Sequence, residues 1–119
     1  MAGYRDLVVW QNAKSLAVEI YKLTSTGEWS KDWGLRDQIR GAAVSVPSNI
    51  AEGDARAGDK ESIRFFRIAL GSIAELETQL EIAREIDYLS QKDLQRFLAQ
   101  TELLAAKLGA LIRARTPKN

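Results

Sequence analysis

The chain has 119 residues, 17 basic against 16 acidic side chains for a formal charge of +1, no cysteine and no histidine. That length is enough for one domain with a real apolar core, and the missing cysteine removes disulfide scaffolding, thiol catalysis and zinc–thiolate sites. The missing histidine removes the commonest general base and transition-metal ligand, and near-neutrality offers no general attraction to nucleic acid or anionic membrane.

No apolar run approaches the roughly 20 residues of a membrane span. The opening MAGYRDLVVWQNAK carries arginine and aspartate where a signal peptide would be apolar, so a cytoplasmic protein without membrane association is expected.

The first helical pattern runs from about Leu7 to Thr24. Val9, Trp10, Ala13, Leu16, Ala17, Ile20, Tyr21 and Leu23 fill one arc, opposite Gln11, Lys14, Ser15, Glu19 and Lys22. After the polar stretch Ser25 to Asp32, either Asp32 or Ser30 can cap a second helix over about 34–53. Within it, QIRGAAVSVPSNIAEG keeps helical spacing through Ile39, Ala42, Ala43, Val46, Ile50 and Gly53 although Pro47 lacks an N–H and crowds the carbonyl of Ala43. A proline-kinked helix is predicted. Gly41, Ala42, Ala43, Ser45 and Ser48 have so little bulk that a neighbouring helix can approach closely.

The segment GDARAGDK, Gly53 to Lys60, loosely resembles a phosphate loop, but its lysine is one place too late and it joins two helices, so it is read as a turn. The third helix, about 59–86, has the widest apolar arc: Ile63, Phe65, Phe66, Ala69, Leu70, Ile73, Leu76, Leu80 and Ala83. Ser90 and Asp93 stand in near-capping-box spacing for a last helix over about 91–113, with Leu94, Phe97, Leu98, Thr101, Leu104, Ala105, Leu108 and Ile112 inside and a frayed tail from Ala114. Strand-like alternation is absent, so the expected fold is all-α, one antiparallel (up-down-up-down) four-helix bundle across residues 1–119.

Three side-chain groups carry functional expectations. Glu77 lies on the inward arc with Phe66, Leu70 and Ile73, where a carboxylate needs a partner, and Arg36 or Arg40 of the second helix is the expected one. The alternative reading is a carboxylate site of Glu52, Glu75 and Glu77. Without histidine it lacks the paired Glu-x-x-His motifs of di-iron bundles, so neither a metal nor a cofactor is expected. Arg56, Lys60, Arg64 and Arg67 share a stripe at the start of the third helix, which is either a solvated face or a grip for phosphates. Ala99, Leu103, Ala106 and Ala110 line the outer face of the last helix, where surface alanine is the plain reading and Leu103 argues for contact between subunits. Val8 and Val18 also fall outside the first core arc.

These residues bear a family resemblance. YRDLVVWQNAKSLAVEIYKLT, QIRGAAVSVPSNIAEG with Arg56 and Lys60-Glu61 following, and GSIAELETQLEIA from Gly71 to Ala83 closely resemble proteins encoded within intervening sequences of bacterial 23S ribosomal RNA genes. The resemblance spans nearly the whole chain and implies a small bundle that assembles as a homopentamer without established enzymatic activity. More distant relatives are pentameric accessory proteins of diversity-generating retroelements, which bind nucleic acid and a reverse transcriptase. Two departures stand out. STGEWSKDW places Trp29 and Trp33 where the family often has Phe-Pro, and the nucleic-acid-binding relatives are markedly basic where this chain is nearly neutral.

The sequence therefore sets out a non-enzymatic oligomer that binds RNA or DNA through the basic stripe. Its rivals are a protein scaffold with Trp29 or Trp33 as contacts and, last, a carboxylate enzyme.

Overall fold

A computed structural model describes residues 3–56 and 58–118. Met1, Ala2, Ala57 and Asn119 lie outside the described residues, and with them one position of the GDARAGDK turn and the last residue of the expected frayed tail.

Four helices carry the fold: α1 Val8–Leu23, α2 Trp33–Asp54, α3 Asp59–Glu85 and α4 Gln91–Arg115, with short 3₁₀ turns at Tyr4–Asp6 and Gly27–Lys31. No strand occurs among the described residues. Each helix packs on its chain neighbours, and α1 also meets α4. Three contacts fix the directions. The indole Nε1 of Trp29, in the α1–α2 connection, donates to the Tyr88 carbonyl in the α3–α4 connection at 3.0 Å, so those two connections share one end. Arg115, closing α4, reaches Asp54, closing α2, at 2.9 Å, at the other end. Arg96 near the start of α4 pairs with Glu19 near the end of α1 at 2.7 Å. Successive helices therefore run up, down, up and down.

The apolar arcs explain the packing. Ala13, Leu16, Ile20, Ile39, Val46, Ile50, Phe66, Leu76, Leu80, Phe97, Leu104 and Leu108 make a core that solvent scarcely reaches. Tyr21, expected on the inner arc of α1, is instead exposed at its edge. Pro47 lies inside α2 without ending it and is buried.

Small residues do what their size allows on one side of α2. Ala42 and Ala43 are buried, and the hydroxyls of Ser45 and Ser72 meet at 2.7 Å across α2 and α3. The closest approach is at Gly53. A Cβ there would stand 2.6 and 2.9 Å from two Phe66 ring carbons and 3.0 Å from the Ser62 carbonyl oxygen. The Ser62 hydroxyl donates to the Gly53 carbonyl at 2.7 Å, which satisfies a buried acceptor as α2 ends. Gly41, by contrast, has nothing within 4 Å of its notional Cβ, so its smallness serves no contact inside the bundle.

Side chains cap the starts of α2 and α4. Asp32 Oδ1 accepts from the Leu35 amide at 3.1 Å at the start of α2, whereas Ser30 donates back to the Gly27 carbonyl. Ser90 accepts from the Asp93 amide at 3.1 Å at the start of α4. At the end of α3, Asp87 adopts φ 64° while the Tyr88 amide donates to the Ala83 carbonyl at 2.8 Å and the Asp87 amide to Arg84 at 3.2 Å. This is a Schellman cap with aspartate in the left-handed position that glycine usually fills. It aims Tyr88 at the opposite connection, where its hydroxyl donates to Asp32 Oδ2 at 2.9 Å and its ring meets the edge of Trp29 at a centroid distance of 5.4 Å. Trp29 is consequently buried, which withdraws it as an exposed partner contact.

Gly53→Ala should destabilise the fold by about 1–3 kcal/mol, because Phe66 is fully packed and cannot yield. Gly71→Ala, in open space on α3, should instead stabilise by about 0.5–1 kcal/mol through helix propensity. Urea unfolding of both variants is the measurement, and equal effects would refute a steric role for Gly53.

The hydrogen bond to Asp32, then burial and the nearby charges of Asp32 and Glu28, raise the Tyr88 pKa above the ordinary phenol value. A folded pKa above the unfolded one means that the contribution is complete below about pH 10 and is lost as pH rises through the folded value. The stability difference between parent and Tyr88→Phe should therefore be constant through neutral pH and shrink above about pH 10. Urea midpoints across that range check it, and a difference independent of pH would show that the hydroxyl does not hold its proton for Asp32.

Candidate nucleic-acid interface

The end of α2 and the start of α3 bring Arg56, Lys60, Arg64 and Arg67 onto one exposed surface. The inward face of the same turns makes this placement rigid, since Ser62 and Phe66 are locked against Gly53. The four cations differ in how far they are already neutralised. Arg56 pairs with Glu52 at 2.6 Å, and Arg64 stands 3.7 Å from Glu61. Lys60 and Arg67 have no ion-pair partner among the described residues. Both pairs are solvent-exposed, where such contacts contribute at most about 1 kcal/mol and a phosphate can displace them.

Two neighbours of the stripe were not expected there. The apolar arc read from the sequence put Phe65 in the core, yet it is only half-buried, with the Arg56 guanidinium 4.6 Å from its ring centroid and that of Arg64 at 5.4 Å. Ile63, also assigned to the core, is half-buried and lines a groove of about 530 Å³ with Lys60, Glu61, Arg64, Arg67 and Pro117. Both sit one residue off the fully buried Ser62 and Phe66, at the edge of an arc that a helical wheel draws too wide. Pro117 arrives because Arg115 is anchored, by Asp54 at 2.9 Å and with its guanidinium 5.3 Å from the Phe66 centroid.

The expected Glu77 ion pair is not formed. Glu77 is half-buried and accepts from the Thr101 hydroxyl of α4 at 2.7 Å. Arg40 is committed to the end of α1, where it donates to the Thr24 hydroxyl at 2.7 Å and lies 4.5 Å from the Tyr21 ring centroid. Arg36 donates to the Ser30 carbonyl and pairs with Asp37, both at 3.3 Å. Both arginines are thus engaged within their own end of the bundle, and the partner that reaches Glu77 is the Thr101 hydroxyl of α4. Nor are Glu52, Glu75 and Glu77 grouped to hold a metal ion among the described residues.

Ala99, Leu103, Ala106 and Ala110 are exposed on α4, with Leu103 53% accessible beside Asn12 and Ser15 of α1. A second apolar surface lies between α1 and α2, where exposed Val18, Tyr21 and Val44 flank buried Pro47 around a groove of about 400 Å³. No helix among the described residues is long and apolar enough to cross a membrane.

Among known proteins, the profile of the family described as 23S rRNA-intervening sequence protein matches residues 5–110. A solved structure from Bacteroides thetaiotaomicron, described as a protein of unknown function from the S23 ribosomal protein family, superposes with a TM-score of 0.80 at 23% identity, over 88% of this chain and 98% of that one. At that identity the likeness speaks for the fold. No curated protein sequence matches the chain. Neither description names an enzymatic activity. With a profile covering nearly all of α1 to α4 and a four-helix fold to match, the chain belongs to the 23S rRNA-intervening sequence protein family.

Proposed function

We propose that this protein is a non-enzymatic, cytoplasmic, self-assembling helical bundle, a pentamer by family resemblance, that binds nucleic acid through Arg56, Lys60, Arg64 and Arg67. The observation that carries the reading is the convergence of these four cations on one exposed surface of a rigid helix pair, two of them without an acidic partner among the described residues. Phosphate is the complementary chemistry, because its charge displaces the weak surface carboxylates and its spacing along a strand lets several cations engage at once. A near-neutral chain makes each site weak. Assembly supplies what one site lacks, because a ring repeats the stripe and turns later contacts into intramolecular ones. The exposed Leu103 ridge and the Val18, Tyr21 and Val44 groove are apolar surfaces that assembly would cover.

A second reading, a scaffold for another protein, is favoured by Trp33, which is 68% exposed at the start of α2. A large aromatic so placed is a common anchor in protein interfaces.

With about four phosphates neutralised per site, the logarithm of affinity should fall with the logarithm of salt with a slope near −3 to −4. Lys60→Glu with Arg64→Glu should remove most binding while sedimentation shows the assembly intact. If the double variant binds as the parent does, the stripe is only a solvated face and the scaffold reading takes its place.

Leu103→Glu should lower the sedimenting mass without loss of helical circular dichroism, because the side chain contributes nothing to the bundle core. A parent that sediments as a monomer at micromolar concentration would end the assembly reading.

A further inference from the structure

The groove beside the stripe has a composition that phosphate contacts alone do not explain. It is lined by three cations, Lys60, Arg64 and Arg67, by Glu61 as the single acid, and by the apolar pair Ile63 and Pro117. A volume of about 530 Å³ is in the range of small-ligand sites. Next to it the half-buried Phe65 ring is held between Arg56 and Arg64. A duplex laid across the stripe would offer phosphates to the cations and nothing to the apolar lining, since its bases are stacked on each other. An unpaired strand offers both, a phosphate for each cation and a base face for an apolar or aromatic surface.

Resting on the nucleic-acid reading above, the geometry points to single-stranded nucleic acid as the ligand, with one unstacked base seated on Ile63 and Pro117 and its flanking phosphates on Lys60 and Arg67. The charge balance at the groove, three cations to one acid, selects an anionic occupant. The apolar lining selects one with an exposed flat face. The segment after α4 becomes part of the site, because the Arg115–Asp54 pair holds Pro117 against α3. Single-strand preference is a demanding expectation on electrostatic grounds. Duplex DNA has the higher charge density and the steeper counterion-release term, so a stripe acting by charge alone would favour the duplex at low salt.

The test is fluorescence anisotropy of the full chain at low salt with a labelled 12-nucleotide strand and with the same strand annealed to its complement. The single strand should bind about fivefold or more tighter than the duplex, the scale of one base stacked on a protein surface. Ile63→Gln and Pro117→Ser leave the charge unchanged and should each weaken single-strand binding about fivefold while leaving duplex binding alone. Pro117 lies beyond the last helix, so that variant keeps the test valid if Ile63→Gln unfolds. Equal or tighter duplex binding, or single-strand binding unmoved in the folded variants, overturns the groove while the stripe stands. Failure of both probes to bind overturns the groove and the nucleic-acid reading together.

Discussion

The approach of α3 to α2 at Gly53 is the constraint on which the rest of the molecule depends. A side chain of even one carbon there would collide with Phe66, so only glycine lets the two helices close to the distance at which the Ser62 hydroxyl reaches the Gly53 carbonyl. Phe66 then presents its ring to the Arg115 guanidinium, and Arg115 ties the end of α4 to Asp54. One absent methyl group thus sets the position of three helix ends. The exposed side of those same turns carries the basic stripe, so the geometry of the candidate interface follows from a packing requirement in the core.

The opposite end is held by different chemistry. Trp29, Tyr88 and Asp32 link the two connections there through hydrogen bonds and an edge-on aromatic contact, and Asp32 caps α2 with its other oxygen. A loop residue rich in apolar area is usually a candidate for solvent exposure or partner contact. Here the indole finds both an apolar surround and a carbonyl for its N–H, the two conditions under which tryptophan is buried at low cost.

Helical periodicity made the bundle legible, because a residue's angle about its own helix axis is a local property. Ile39, Ala42, Ala43, Val46 and Ile50 are all buried on the side the spacing indicates, and Asp32 and Ser90 cap where their positions relative to the apolar arcs suggest. Which neighbour each edge of an arc meets is a property of the whole bundle, and it does not appear on a wheel. Glu77 shows the difference. Its inward angle is correct to within the width of the arc, yet the edge belongs to α4, and a neutral hydroxyl from Thr101 answers it instead of an arginine. Ser62, Ser72 and Gln79 show the converse, polar side chains buried where α3 closes on its neighbours. Of these, Gln79 keeps a carbonyl oxygen without a partner among the described residues.

The candidate site was half legible for a related reason. Charge at helical spacing is visible in one dimension, so Arg56, Lys60, Arg64 and Arg67 could be grouped from their numbers alone. The apolar lining could not, because Pro117 is brought to Ile63 only by the return of α4 and its anchor at Asp54. Net charge misleads in the same way, since a sum over the chain is indifferent to where acids and bases lie. Glu52, Asp59 and Glu61 are exposed beside the stripe, and the other exposed acids of α3, Glu75, Glu81 and Glu85, lie well along the helix from Lys60. Over separations beyond a Debye length of about 8 Å their influence on a phosphate at the stripe is largely screened, so the local excess of cations governs what that surface attracts. A protein of nearly zero net charge can therefore present a local excess of cations, here Arg56, Lys60, Arg64 and Arg67 against Glu52, Asp59 and Glu61.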